Sequence, residues 1–208
     1  MTGTKGGVRA VAAAFGAAVV LAAPARPAAA QQQAFTAQLT PGQQVNPVVS
    51  SGSGFATLTL MNGTMLNVSL TFQNLTSSSA TAPFAHIHAG KTGGPGGNAT
   101  VAVGFVNFPV GVTSGSYNNT FDLTALGTYN PAWLTENNYT TADAARLGLL
   151  GFMTSGLAYV NVHTPTYAAG EIRGQVTAAA TAVPEPGTYA LVAAGLGGAG
   201  LLARRRRA

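Results

Sequence analysis

The chain has 208 residues, no cysteine, and ten basic against five acidic side chains. Seven of the basic residues are Lys5, Arg9, Arg26 and Arg204–Arg207, whereas residues 31–183 keep Lys91, Arg146 and Arg173 against Asp122, Glu136, Asp143 and Glu171, a net of −1. The basic excess therefore belongs to the two ends, which excludes a nucleic-acid partner for the body of the chain, since phosphate contacts need clustered cations. The missing cysteines exclude thiol and disulfide chemistry.

In chain order, residues 1–30 combine Lys5 and Arg9, the apolar run Val11–Ala23 and the small residues Ala28-Ala29-Ala30. These are the three parts of a secretory signal peptide, with a helical apolar segment and cleavage expected before Gln31. Residues 31–34 read as a short linker. A domain then runs over 35–177, long enough for one core. Its first strand is expected at Phe35–Leu39. Ala56, Leu58 and Leu60 alternate with threonines and Met61, and beyond Asn62-Gly63 the residues Leu66, Val68, Leu70 and Phe72 alternate with Asn67, Ser69 and Thr71. Two alternating runs around Asn-Gly predict a hairpin with one apolar and one wet face. Further strands are expected at Phe84–His88, Val101–Phe108, Ser116–Leu123, Leu157–His163 and Glu171–Thr177. One short helix is expected over Thr141–Phe152, capped by Thr140 or Thr141, with Leu147, Leu150 and Met153 on one face. The fold class is all-β: a single antiparallel sandwich or barrel-like domain with one short helix.

After a second linker at 178–183 comes the tail, 184–208. Pro184-Glu185-Pro186 precedes the uncharged run Gly187–Ala203, and Arg204–Arg207 follow. Seventeen residues are at the low end of the roughly 17–25 that a membrane-spanning helix needs, and the arginines hold that end in the cytoplasm. This order of parts resembles the PEP-CTERM sorting signal of Gram-negative bacteria. The resemblance implies recognition by a membrane enzyme of the exosortase type, removal of the tail, and delivery to the cell surface or extracellular matrix.

The candidate chemistry lies in three histidines: His86 and His88 in Phe84-Ala85-His86-Ile87-His88-Ala89-Gly90, and His163 in Tyr159-Val160-Asn161-Val162-His163-Thr164. Residues two apart in a strand share a face. His86 and His88 therefore project together, away from Ile87, and His163 shares the polar face of its strand with Asn161 and Tyr159. If the strands are neighbours, three imidazoles converge as in a three-histidine zinc or copper site. The competing reading is three exposed rings that hydrogen-bond to carbonyls or water. Glu171 is a candidate partner holding His163 in place, or else a surface pair with Arg173 worth about 0–1 kcal/mol. Gly93-Gly94-Pro95-Gly96-Gly97 lacks the Gly-Lys-Ser/Thr of a phosphate loop and reads as a turn. No catalytic triad or carboxylate pair is recognisable.

His86-Ile87-His88-Ala89-Gly90 with its glycine-rich loop resembles the first hallmark of the CHRD (chordin-type) domain. The run from Tyr159 through Thr164 to Gly170-Glu171-Ile172-Arg173-Gly174-Gln175 resembles the second, and the resemblance spans about Phe35–Thr177. It implies an extracellular β-fold and no established catalytic activity. The His-x-His strand also resembles one in copper/zinc superoxide dismutase, but that enzyme needs more histidines than the three present. The leading expectation is an exported, non-enzymatic structural or interaction module of the cell envelope or extracellular matrix. One alternative is a copper- or zinc-binding or small redox protein using His86, His88 and His163. The other is a carbohydrate-binding module, suggested by exposed Asn and Thr and by Tyr129 and Trp133 in an expected loop, with extracellular polysaccharide or matrix proteins as partners.

Overall fold

The chain reverses at Asn62–Gly63 because both residues occupy the left-handed region, with φ of 52° and 73°. The Thr64 N–H closes the turn on the Met61 carbonyl at 3.2 Å. The computed structural model describes residues 32–77 and 85–179. Within them, β2 (Ser53–Met61) and β3 (Met65–Gln73) form the hairpin that the Asn-Gly pair predicts, in register from Met61↔Met65 to Ser53↔Gln73. Ala56, Leu58, Leu66, Val68 and Leu70 are fully buried, while Thr57, Thr59, Asn67 and Ser69 lie on the other face.

β1 (Gln33–Leu39) extends the hairpin on the β2 side and β6 (Gly115–Asp122) on the β3 side. β9 (Thr177–Ala178) pairs with β1 and completes a five-stranded sheet in the order β6-β3-β2-β1-β9. The second sheet holds β4 (Ala85–Ala89), β5 (Val101–Gly104), β7 (Ala158–Val162) and β8 (Ile172–Gln175), in the order β5-β4-β7-β8. Both sheets are antiparallel. Phe35, Leu39, Leu58 and Leu70 from the first meet Ile87, Val103, Val160 and Ile172 from the second in one core. Each such side chain contributes about 1.5–3 kcal/mol by leaving water. Two antiparallel sheets on a shared core make the arrangement of a β-sandwich.

Three sequence expectations need correction here. Gln33, Ala34 and Ala178, read as linker, belong to β1 and β9; ladder pairing with Leu60, Thr59 and Phe35 needs only backbone groups, so polar or small side chains do not end the strand. The strand expected over Glu171–Thr177 breaks at Val176, whose N–H bonds to the Ala158 carbonyl before Thr177 crosses to the other sheet. The strand expected over Val101–Phe108 stops at Gly104, because Asn107 (φ 57°) and Pro109 turn the chain. Phe105 and Phe108 instead plug the core, with Phe105 stacked on Tyr117 and Phe108 on Phe72.

Two helices are described. α1 (Pro131–Glu136) was not expected; one turn carries too short a period to show in the sequence. Asn130 caps it by accepting from Ala132 N–H, Pro131 opens it, and it buries Trp133. α2 (Ala142–Thr154) is the expected helix, capped by Thr141 through Ala144 N–H. Its buried row is Ala145, Leu149 and Met153, whereas Leu147, expected inside, is 61 % exposed. Small Ala145 lets the helix approach the sheet, so the i, i+4, i+8 row that contains it wins. The signal segment 1–30 and the tail 184–208, with the helices expected there, lie outside the described residues. Among the described residues no helix is long and apolar enough to cross a membrane.

Candidate metal centre

β4 and β7 lie side by side, His86 opposite Asn161 and His88 opposite Tyr159. Ile87, Val160 and Val162 enter the core with no exposure. The alternation therefore places His86, His88, Tyr159 and Asn161 on the opposite face, and His163, just past the end of β7, joins them. Against β5 the register shifts between Ile87 and His88, a bulge at the histidine strand. The ring centroids are 5.6 Å apart for His86–His88, 5.1 Å for His86–His163 and 6.2 Å for His88–His163. One ring nitrogen from each histidine lies within 4.8 Å of the other two. A tetrahedral ion with bonds of about 2.1 Å needs nitrogens about 3.4 Å apart, so to share one ion the three must draw together by at most about 1.4 Å.

This face was expected to be wet, and it is largely covered: His88, Tyr159, Asn161 and Arg173 are buried, and His86 and His163 are half-buried. The glycine-rich loop and the segment around Ala168–Gly170 fold over it, leaving His88 only 9 % exposed. Arg173, opposite Asn161 on β8, is buried; its guanidinium donates to the carbonyls of Gly97 at 2.7 Å and Gly94 at 3.0 Å. Gln175 holds the Gly93 carbonyl at 2.8 Å. Gln44 donates to Asn161 at 2.8 Å beneath Gly170. At Gly170 (φ 126°) a β-carbon would come within 2.5 Å of the Asn161 amide, so the second cover needs glycine for both conformation and space.

The cover fixes the rings. His88 Nδ1 bonds to the Ala99 carbonyl at 2.8 Å and His163 Nδ1 to the Ala168 carbonyl at 3.0 Å. A carbonyl only accepts, so both Nδ1 atoms carry the proton and both Nε2 atoms of the neutral rings carry a lone pair. Those two Nε2 atoms are buried and have no hydrogen-bond partner among the described residues. Burial lowers the His88 pKa to about 4, opposed by the Ala99 bond, and lowers that of His163 as well. Neutral imidazoles held from behind by carbonyls are metal ligands in form. A surface cleft of about 230 Å³, lined by His86, Val101, Gly104, Thr128 and Asn130 among others, reaches the cluster from the His86 side.

Glu171 stands elsewhere. It is fully buried, and its carboxylate accepts from Ser50 Oγ, Thr76 N–H, Thr76 Oγ1 and Thr164 Oγ1. His163 Nδ1 has the Ala168 carbonyl instead, and the one ion pair among the described residues joins Arg146 to Asp143. Both sequence readings of Glu171 are thus corrected: it is neither the partner of His163 nor half of a surface pair with Arg173, because the 48–52 and 74–77 segments close over it. Tyr129 and Trp133, suggested as a sugar platform, are core residues stacked at 5.7 Å; Trp133 Nε1 donates to the Ala89 carbonyl at 2.7 Å. The supporting roles of Ala99 and Ala168 had no signal in the sequence, since only backbone atoms are used. Those of Tyr159 and Asn161 were visible in their period-two spacing from His163.

Residues 35–176 match the family model of the CHRD domain, and residues 182–207 match that of the PEP-CTERM protein-sorting motif. No curated protein and no solved structure matches the chain. The sorting motif marks the chain for export, with recognition by an exosortase-type enzyme, a transient membrane anchor before processing, and then a cell-surface or extracellular location.

Proposed function

The chain belongs to the CHRD domain family, and from that premise and the arrangement of its histidines we propose that it is an exported, non-enzymatic surface module that holds one copper or zinc ion. His86, His88 and His163 would hold the ion, and a surface cleft adjoins the cluster at His86. One observation carries the reading: the Nε2 atoms of His88 and His163 are buried without a hydrogen-bond partner among the described residues, while both Nδ1 atoms are engaged by carbonyls. Buried polar atoms left unmatched cost about 1–3 kcal/mol each. A bound ion removes that cost. Three exposed, water-bonded rings would not carry it.

Calorimetric titration of the exported protein with Zn²⁺ and Cu²⁺ tests this. One ion per chain is expected, and His86→Ala, His88→Ala and His163→Ala should each lower affinity about tenfold or more. Binding weaker than about 100 μM for both ions and for Cu(I) under reducing conditions, or unchanged affinity in all three variants, overturns it.

A contact role in the matrix has its own observation. Thr36, Thr57, Ser69 and Asn118 form one cross-strand row on the outer face of the five-stranded sheet. The row is uncharged and suits a neutral polymer such as a polysaccharide. Pull-down on extracellular polysaccharide should lose the protein on Ser69→Arg; equal capture of parent and variant removes this reading.

A further inference from the structure

The three-histidine reading leaves the identity and charge of the ion open, and the surroundings of His88 bear on both. The ligand set is neutral: the cluster contains three imidazoles, and among the described residues no carboxylate offers a ligand atom to it. Behind His88 lies a layered stack. The Tyr159 ring is parallel to the His88 ring, 4.6 Å away and 7° from coplanar. The Arg173 guanidinium covers the other face of Tyr159, 3.5 Å from its centroid.

A full positive charge thus sits about 8 Å from the His88 ring, by way of layers of 3.5 and 4.6 Å. Arg173 is 1 % exposed, its partners are carbonyls of the glycine-rich loop and the Gln175 side chain, and it makes no ion pair among the described residues. The buried carboxylate of Glu171 is taken up by Ser50, Thr76 and Thr164.

Two effects then act in the same direction. The cost of burying an ion rises with the square of its charge, and neutral ligands do not cancel that charge. Repulsion from Arg173 rises linearly with it. Both penalise a divalent ion relative to a monovalent one, and copper is the imidazole-binding metal with an accessible monovalent state. We propose that this is a copper site that favours Cu(I) over Cu(II) and Zn(II), with Arg173, acting across Tyr159 and His88, as a positioning residue that sets the preference.

Competition titrations on the exported protein decide it. Cu(I) is kept reduced with ascorbate under anaerobic conditions, and Cu(II) and Zn(II) are titrated separately. The parent should bind one Cu(I) more tightly than either divalent ion. Arg173→Met should lower the ratio of Cu(I) to Cu(II) affinity by about 30-fold, the effect of one unit charge at that distance for an effective dielectric constant of about 20. Arg173→Lys should keep most of the ratio. A parent that binds Cu(II) or Zn(II) more tightly than Cu(I) overturns the preference, whether or not the variants fold. A folded Arg173→Met with an unchanged ratio overturns the role of Arg173. Stoichiometric binding of none of the three ions removes the site itself, an outcome distinct from the other two.

Discussion

Glu171 is a buried carboxylate that forms no ion pair among the described residues, and what sustains it is the number of its hydrogen bonds. Four donors from Ser50, Thr76 and Thr164 converge on its two oxygens, and bonds to a charged acceptor contribute about 1.5–3 kcal/mol each. The residue ties three otherwise separate segments together beneath the covered face of the second sheet. Glu171→Ala strands the Thr76 N–H and the Thr164 hydroxyl, and should lower unfolding free energy by about 3–5 kcal/mol in urea titrations. Glu171→Gln keeps the shape and one acceptor, so about 1–2 kcal/mol is expected. Because the His163 ring is held by the Ala168 carbonyl, metal affinity in folded Glu171→Gln should stay within about threefold of the parent. A tenfold loss there would restore Glu171 as the residue that fixes His163.

At the scale of elements, the hairpin and the main helix separate what local pattern dictates from what packing dictates. Asn62 and Gly63 both hold positive φ, and a β-carbon at Gly63 meets nothing within 4 Å. The cost of Gly63→Val is therefore backbone strain alone, about 1 kcal/mol or more, read as a lowered Tm; an unchanged Tm would mean that the turn tolerates a β-branched residue. In α2, Leu149→Ala should cost about 2–4 kcal/mol and Leu147→Ala less than about 0.5 kcal/mol, since Leu149 is buried and Leu147 exposed. Equal losses would put the helix in another rotation. The sequence revealed the strands with strict alternation, such as Leu66-Asn67-Val68-Ser69-Leu70, because period two is a local property. It did not reveal the helix face, as Leu147, Leu149 and Leu150 are equally apolar and only the sheet beneath chooses among them. The shared face of the three histidines followed from spacing. Its burial did not, because the cover is formed by loops whose partners, Arg173 with Gly97 and Gln44 with Asn161, are 76 and 117 residues apart.

For the whole molecule, charge and address are separate. The domain between the ends carries three cations, and one of them, Arg173, is buried. The four cations at 204–207 stand at the end of a sorting motif that covers residues 182–207. The seventeen uncharged residues before them include five glycines, each about 1 kcal/mol less favourable in a helix than alanine. A transient anchor with so short and glycine-rich an apolar run depends mainly on its flanking charge: positive residues stay on the cytoplasmic side, and each near the anionic surface contributes about 1 kcal/mol. Replacing Arg204–Arg207 with serine should remove about 4 kcal/mol of that anchoring. The unprocessed chain would then slip through before the sorting enzyme acts on it. Mass spectrometry of the surface and medium fractions is the measurement. The parent should give a product that starts at Gln31 and lacks the tail, whereas the variant should accumulate in the medium with its tail intact. Identical processing and surface yield would show that the apolar run and Pro184-Glu185-Pro186 suffice, and that the arginines do not set the anchor.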